Sequence, residues 1–263
     1  MRRTTLFLST LFVAIAFTAC KGKKVIENPQ ATLELKFEMT SGTNGMAVAY
    51  NPKKKLYYAV IGGNTDYPLE VFDKNGNRLS GNAANIDTRG IWWNSKLNHL
   101  EANTYKRRGE ATVLNLKLDD KGYYTGETIK ITNNDIQPDG QAVGAYDFKN
   151  DHILFYSYGK VYKAGRASLD KIGNIKLQLP VSKSYINKYA IIYTGFPKKE
   201  VGVLDHENKK VYLFNVNTGE HTQTINLPSN AETPERFKFS YANGYVWLYS
   251  VKTRSWKGYK IMK

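Results

Sequence analysis

Three carboxylates and two guanidiniums stand in comparable places along this chain, each in a short polar segment just ahead of a hydrophobic run. Asp87 and Arg89 lie in Asp-Thr-Arg-Gly, Asp139 and Gln141 in Asp-Gly-Gln-Ala, and Glu235 and Arg236 directly before Phe237. Paired carboxylates can act as general acid and as base or nucleophile on a glycosidic bond when they stand roughly 5–10 Å apart. Asp87, Asp139 and Glu235 are therefore the candidate catalytic set of a carbohydrate-active enzyme. The cations suggest another use. Arginine presents a planar fork that matches a carboxylate or phosphate, and Asn44 and Tyr185 occupy corresponding segments. Asn44, Arg89, Gln141, Tyr185 and Arg236 together form a candidate ligand-binding ring for an acidic group. The plainer alternative pairs Arg89 with Asp87, and Arg236 with Glu235, inside their own loops.

Other chemistries find little footing. The only cysteine is Cys20, so the domain beyond it has no disulfide, thiolate zinc site or catalytic thiol of its own. His99 and His152 fall in equivalent turns and His206 sits in Asp-His-Glu-Asn, spacings that suit separate surface turns better than a shared metal. No His-Glu-x-x-His helix, phosphate-cradling glycine loop or Gly-x-Ser-x-Gly elbow is present. No cofactor or metal is expected.

The elements that must carry these residues are strands. Short runs rich in Tyr, Val, Ile and Phe alternate with Asn, Asp, Gly and Lys turns, and no amphipathic helix stands out. A strand–turn–strand unit recurs, beginning near Gly45, Gly90, Ala142, Tyr185 and Phe237. Third strands follow at Leu69, Lys160 and Val211, and fourth strands at Lys176-Leu-Gln-Leu-Pro and Thr224-Ile-Asn-Leu-Pro. Four-stranded repeats of roughly 40–50 residues resemble the β-propellers. That resemblance implies an all-β ring of five four-stranded blades, or six if residues 100–140 hide another. The last unit runs out with three strands, and Leu33-Glu-Leu-Lys-Phe37 is a spare alternating strand. Placed as the outer strand of the last blade, residues 33–37 close the ring and cover two open edges. Adjacent Trp92 and Trp93 must face opposite sides of their strand, one between blades and the other toward a mouth or a neighbouring sheet.

The first residues belong to a different kind of segment. Met1-Arg2-Arg3 precedes an apolar run from Leu6 to Phe17, too short to span a membrane and followed by Phe17-Thr18-Ala19-Cys20. This resembles the lipobox of bacterial lipoproteins, departing from it at Phe17, where an aliphatic residue is usual. The resemblance implies a signal peptide over 1–19, acyl chains including palmitate on Cys20, and a polar tether through residue 30. A single propeller domain then fills 31–263. Lys21 directly after the cysteine resembles lipoproteins released to the outer membrane, and no acidic cluster follows of the kind that directs surface export. The expected location is the inner leaflet, facing the periplasm.

Of the 263 residues, 38 are Lys or Arg against 23 Asp or Glu; without Arg2 and Arg3 the balance is 36 to 23, or +13. Basic runs concentrate at Lys53–Lys55, Lys106–Arg108 and the last strands, from Lys252 and Arg254 to Lys263. Nucleic acid is not an expected partner of an exported lipoprotein. An acidic protein or an anionic envelope glycan is. The expected role is thus an anchored binding or scaffold protein of the cell envelope, with the carbohydrate-active enzyme as its alternative.

Overall fold

The computed structural model describes residues 24–105, 113–132 and 136–262. Cys20, the leader and the Lys106–Arg108 tip lie outside them. Among the described residues, twenty strands form five four-stranded antiparallel sheets. Blade 1 holds β2 (Asn44–Asn51), β3 (Leu56–Gly62), β4 (Pro68–Phe72) and β5 (Arg78–Ala83). Blade 2 holds β6 (Thr88–Asn94), β7 (His99–Thr104), β8 (Val113–Leu118) and β9 (Tyr124–Thr132). Blade 3 holds β10 (Ala145–Asp147), β11 (His152–Ser157), β12 (Lys160–Gly165) and β13 (Lys171–Lys176). Blade 4 holds β14 (Ile192–Tyr193), β15 (Val201–Asp205), β16 (Lys210–Phe214) and β17 (His221–Asn226). Blade 5 holds β18 (Phe239–Ala242), β19 (Tyr245–Ser250) and β20 (Ser255–Lys260), completed by β1 (Ala31–Lys36). First strands touch in the order β2, β6, β10, β14, β18 and back to β2, so the ring is closed around a channel. This is a five-bladed β-propeller. Among the described residues, the stretch 100–140 holds the remaining strands of blade 2 and no sixth blade.

Burial explains why these runs become these strands. β3, β4 and β15 are buried at every position, sandwiched between neighbouring sheets, whereas the outer strand β13 is exposed at all but one. Central strands therefore read as continuous apolar runs and outer ones as polar. Ring closure follows the same rule. β1 pairs with β20 in the register Leu33 to Gly258 and Leu35 to Trp256. Leu35 is fully buried and Phe37 nearly so, each worth about 1.5–3 kcal/mol of apolar transfer. Fully buried Glu70 accepts the backbone N–H of Met39 at 2.7 Å, fastening the chain after β1 onto blade 1. The polar segment ahead of β1 is also held from Val25 onward. Val25 bridges Met262, and Ile26 donates its N–H to the Ile261 carbonyl at 2.9 Å.

One turn device recurs where each of the first three blades passes from its first to its second strand. Asn51 Oδ1 accepts the N–H groups of Lys53 and Lys54, Asn94 Oδ1 those of Lys96 and Leu97, and Asp147 Oδ1 those of Lys149 and Asn150. Each turn then closes on a left-handed residue, Lys55 (φ 57°), Asn98 (φ 57°) or Asp151 (φ 60°). Such side-chain acceptors are why Asn and Asp begin turns.

Blade 4 departs from the first strand expected to begin near Tyr185. Only Ile192–Tyr193 is extended as a strand, and Lys183–Tyr185 form a 3-10 turn. The reason is Asn187, fully buried. Its Oδ1 accepts from Tyr189 and Ala190, and its Nδ2 donates to the carbonyls of Pro234 and Phe237, at 2.8–3.3 Å. A local side chain that takes over backbone partners pulls the segment out of the ladder. The fourth strands of blades 3 and 4 likewise end earlier than expected, at Lys176 and Asn226, leaving Leu177 and Leu227 buried just beyond them.

Candidate functional site

The channel has an upper mouth, where the chain enters the first strands, and a lower mouth, where it leaves them. Arg89 lies across the upper one. Its Nε donates to Gln141 Oε1 at 2.9 Å, and Nη1 donates to Asp87 Oδ1 at 2.5 Å and to the Thr88 carbonyl at 2.9 Å. The guanidinium sits 4.8 Å from the Tyr105 ring centre and 5.7 Å from that of Phe237, which itself stacks on Tyr189. The connectors into blades 2, 3 and 5 thus meet on one side chain that is only 4% exposed. Arg89 and Gln141 converge as expected, but as a plug whose charge Asp87 already meets. The Arg89–Asp87 pairing is the plainer of the two sequence expectations.

The rest of the expected ring is dispersed. Asn44 starts β2 half-buried. Tyr185 belongs to the 3-10 turn, 43% exposed, and not to a first strand, because Asn187 displaces that strand toward Ile192. Glu235 pairs with Lys188 rather than with Arg236, and Lys188 holds the Glu235 carboxyl below its ordinary range. Exposed Arg236 turns instead to a groove between blades 3 and 4, a hollow of about 460 Å³. Lys183, Lys188 and Arg236 line it together with Tyr156, Tyr158 and Tyr189. No carboxylate among the described residues pairs with Lys183 or Arg236.

The three candidate catalytic carboxylates are each engaged within their loops. Asp87 takes Arg89 and the Gly63 N–H, Asp139 Oδ1 accepts the Gln141 N–H at 2.7 Å, and Glu235 takes Lys188. Among the described residues no three His, Cys, Asp or Glu side chains gather as metal ligands.

The lower half of the channel is open, a cavity of about 310 Å³ that sequence reasoning did not foresee. Tyr50, Trp93, Tyr146, Tyr193 and Tyr241 line it, one from each blade. Among the described residues that line it there is no Asp, Glu, Lys, Arg or His. Each aromatic sits near the end of its first strand, just before that strand turns into the second. That recurring position was the available signal. Trp93 stacks on Tyr58 of blade 1 with ring centres 6.5 Å apart, Tyr146 reaches Asn94 of blade 2, and Tyr193 meets Phe148 of blade 3 edge-on at 5.4 Å. Trp92 also lines the cavity but packs on the opposite face of the sheet, its indole N–H on buried Glu101 at 3.0 Å. Glu101 also takes both arms of Arg166, at 2.6 and 2.7 Å, joining blades 2 and 3.

A solved structure shares this architecture. A glutaminyl cyclase from Myxococcus xanthus aligns with 91% of this chain and 99% of its own at a TM-score of 0.57, with 10% sequence identity. A periplasmic gluconolactonase from Pseudomonas aeruginosa aligns more weakly (13% identity, 85% of this chain and 68% of that one, TM-score 0.43). So does a chain of a nidogen–laminin complex (12% identity, 69% and 63%, TM-score 0.45). No protein-family model matches the chain, and no curated protein matches it. At these identities the likeness speaks for the fold alone.

Proposed function

We propose that this chain is a non-catalytic binding propeller of the bacterial envelope, anchored through acyl chains on Cys20, which recognises an acidic partner through the groove between blades 3 and 4. The observation that carries the reading is Lys183, Lys188 and Arg236 in one groove whose described lining holds no carboxylate, with Glu235 paired to Lys188 beside it. Three tyrosines beside them supply contact area at low entropic cost, a composition common where proteins bind one another. The anchor fits this geometry. Four residues separate Cys20 from Val25, where the chain is already tied to the domain. At roughly 3.5 Å per residue that leash reaches only ~17 Å, so the propeller would ride close to the bilayer surface.

The carbohydrate-active reading draws no support from the site. A general acid needs a raised pKa, whereas Glu235 is held below its ordinary value by Lys188, and Asp87 is committed to Arg89.

Fluorescence anisotropy with labelled polyglutamate tests the groove. Lys183→Glu with Arg236→Glu should weaken binding about tenfold or more at low salt, and the wild type should lose affinity as salt rises. Equal affinity in the wild type and the double variant would remove the groove from consideration. For the anchor, a fatty-acid analogue should label the wild type and not Cys20→Ser; an unlabelled wild type ends that part of the reading.

A further inference from the structure

The collar at the lower mouth is independent of the acidic-partner reading. Tyr50, Trp93, Tyr146, Tyr193 and Tyr241 repeat in all five blades although their strands otherwise differ. Core packing does not account for them all, since Tyr50, Trp93 and Tyr241 are only half-buried. Phe148 adds a further ring at the rim, 45% exposed. Bulky aromatics kept partly wet around one opening are what a ligand pocket presents.

We infer that this collar binds an uncharged ligand carrying an aromatic ring, held by ring-to-ring contact inside the lower half of the channel.

Size, charge and polarity each narrow the ligand. About 310 Å³ lies at the small end of ligand pockets, enough for one or two fused rings. A charged ligand would shed its hydration with no counter-charge among the lining residues. Burial pushes the phenols of Tyr50, Tyr146, Tyr193 and Tyr241 above their ordinary value, so they stay neutral. Aromatic rings can also cage a cation. Here Lys53 and Lys149 occupy the turns that follow Tyr50 and Tyr146, while the nearby carboxylates Asp147 and Asp151 are engaged by Asn150 and by Lys96 and the Tyr146 hydroxyl, so no free anion is left to favour one. Of the buried lining groups described, only the Tyr193 hydroxyl lacks a hydrogen-bond partner, fewer than a sugar would need. The Ser240 hydroxyl is committed to the Val48 backbone at 3.0 and 3.2 Å, and Asn243 Nδ2 to the Tyr57 hydroxyl at 2.7 Å.

Calorimetric titration of the full chain with indole, glucose and tetramethylammonium chloride tests the assignment. Indole should bind saturably at one site per chain, with affinity unchanged by added salt, and more tightly than the other two. Trp93→Ala removes one wall of the collar, and Ala145→Leu fills space at the lining without removing an aromatic. Each should lower indole affinity about tenfold, Trp93→Ala through one lost aromatic contact and its buried area, Ala145→Leu through the steric cost of overfilling the space the ring would occupy. The melting temperature of each variant reports folding, and if Trp93→Ala does not fold, Ala145→Leu decides. Absence of saturable indole binding overturns the proposal. So does tighter binding of glucose or tetramethylammonium, or undiminished indole affinity in the folded variants.

Discussion

At the upper end of the channel Arg89 lies under Phe237, bonded to Gln141 and Asp87; at the lower end five aromatic rings surround open space. Both ends are built on the same five first strands, yet the polar end is closed and the apolar end open. The connectors between blades all cross at the top, and their backbone groups must be paired once they are buried. Arg89, Asn103 and Asn187 meet that need. Asn103 Oδ1 accepts the N–H groups of Gly90 and Gly144, both at 2.9 Å, and its Nδ2 donates to Gln137 and to the Ala142 carbonyl, both at 3.0 Å. Gly90 is required there, because a Cβ would stand 2.5 Å from the Gly144 carbonyl oxygen. At the bottom, local turns satisfy their own backbone through Asn51, Asn94 and Asp147, so nothing has to reach across the axis. A charged residue at a propeller mouth is therefore not by itself a sign of a ligand: at this mouth the charge serves closure, and the free cations lie to the side in the groove.

The sharpest way to break this contrast is through the arginines. Arg89→Ala removes a nearly buried cation from Asp87 and Gln141 and should cost about 3 kcal/mol. Arg236→Ala, on an exposed side chain, should stay within about 0.5 kcal/mol. Urea denaturation measures both, and equal losses would mean that Arg89 does not hold the mouth shut.

A smaller effect separates the two ends by pH. Because Lys188 holds the Glu235 carboxyl below the ordinary range, Glu235 stays ionised as pH falls through that range and gains its proton only beneath it. Acidification should then add one unit of positive charge to the groove and strengthen binding of a sulfated polyanion, which keeps its own charge. Indole binding at the collar should stay flat from neutral pH down to that point, since its phenols are shifted upward by burial. Isothermal titration at successive pH values checks both. A parallel pH response at the two sites would contradict the separation.

Much of the architecture is legible locally. The alternation of buried runs and Asn or Asp turns marks four strands per repeat, and the three-stranded remainder at the C-terminal end points to Leu33–Phe37 as the closing strand. The structure has that strand at Ala31–Lys36, with Leu35 against Trp256. Blade 4 departs from its local pattern because Asn187 acts on Pro234 and Phe237, nearly fifty residues away, and no local signal announces it. The candidate site was legible only in part. Arg89 and Gln141 are close in space as their spacing suggests, but whether a mouth arginine faces a ligand or a neighbouring loop depends on what the other connectors place beside it.

Residue order by itself determined the four-stranded repeat, the closing strand and the turn positions, because strand periodicity and Asx-type turns depend on neighbours a few residues away. Tertiary structure alone decided that Arg89 is sealed under Phe237, that Arg236 joins Lys183 and Lys188, and that five aromatics from Tyr50 to Tyr241 encircle one cavity. Those outcomes depend on groups up to about 190 residues apart meeting around a common axis, and the free energy of each is set by what it meets there.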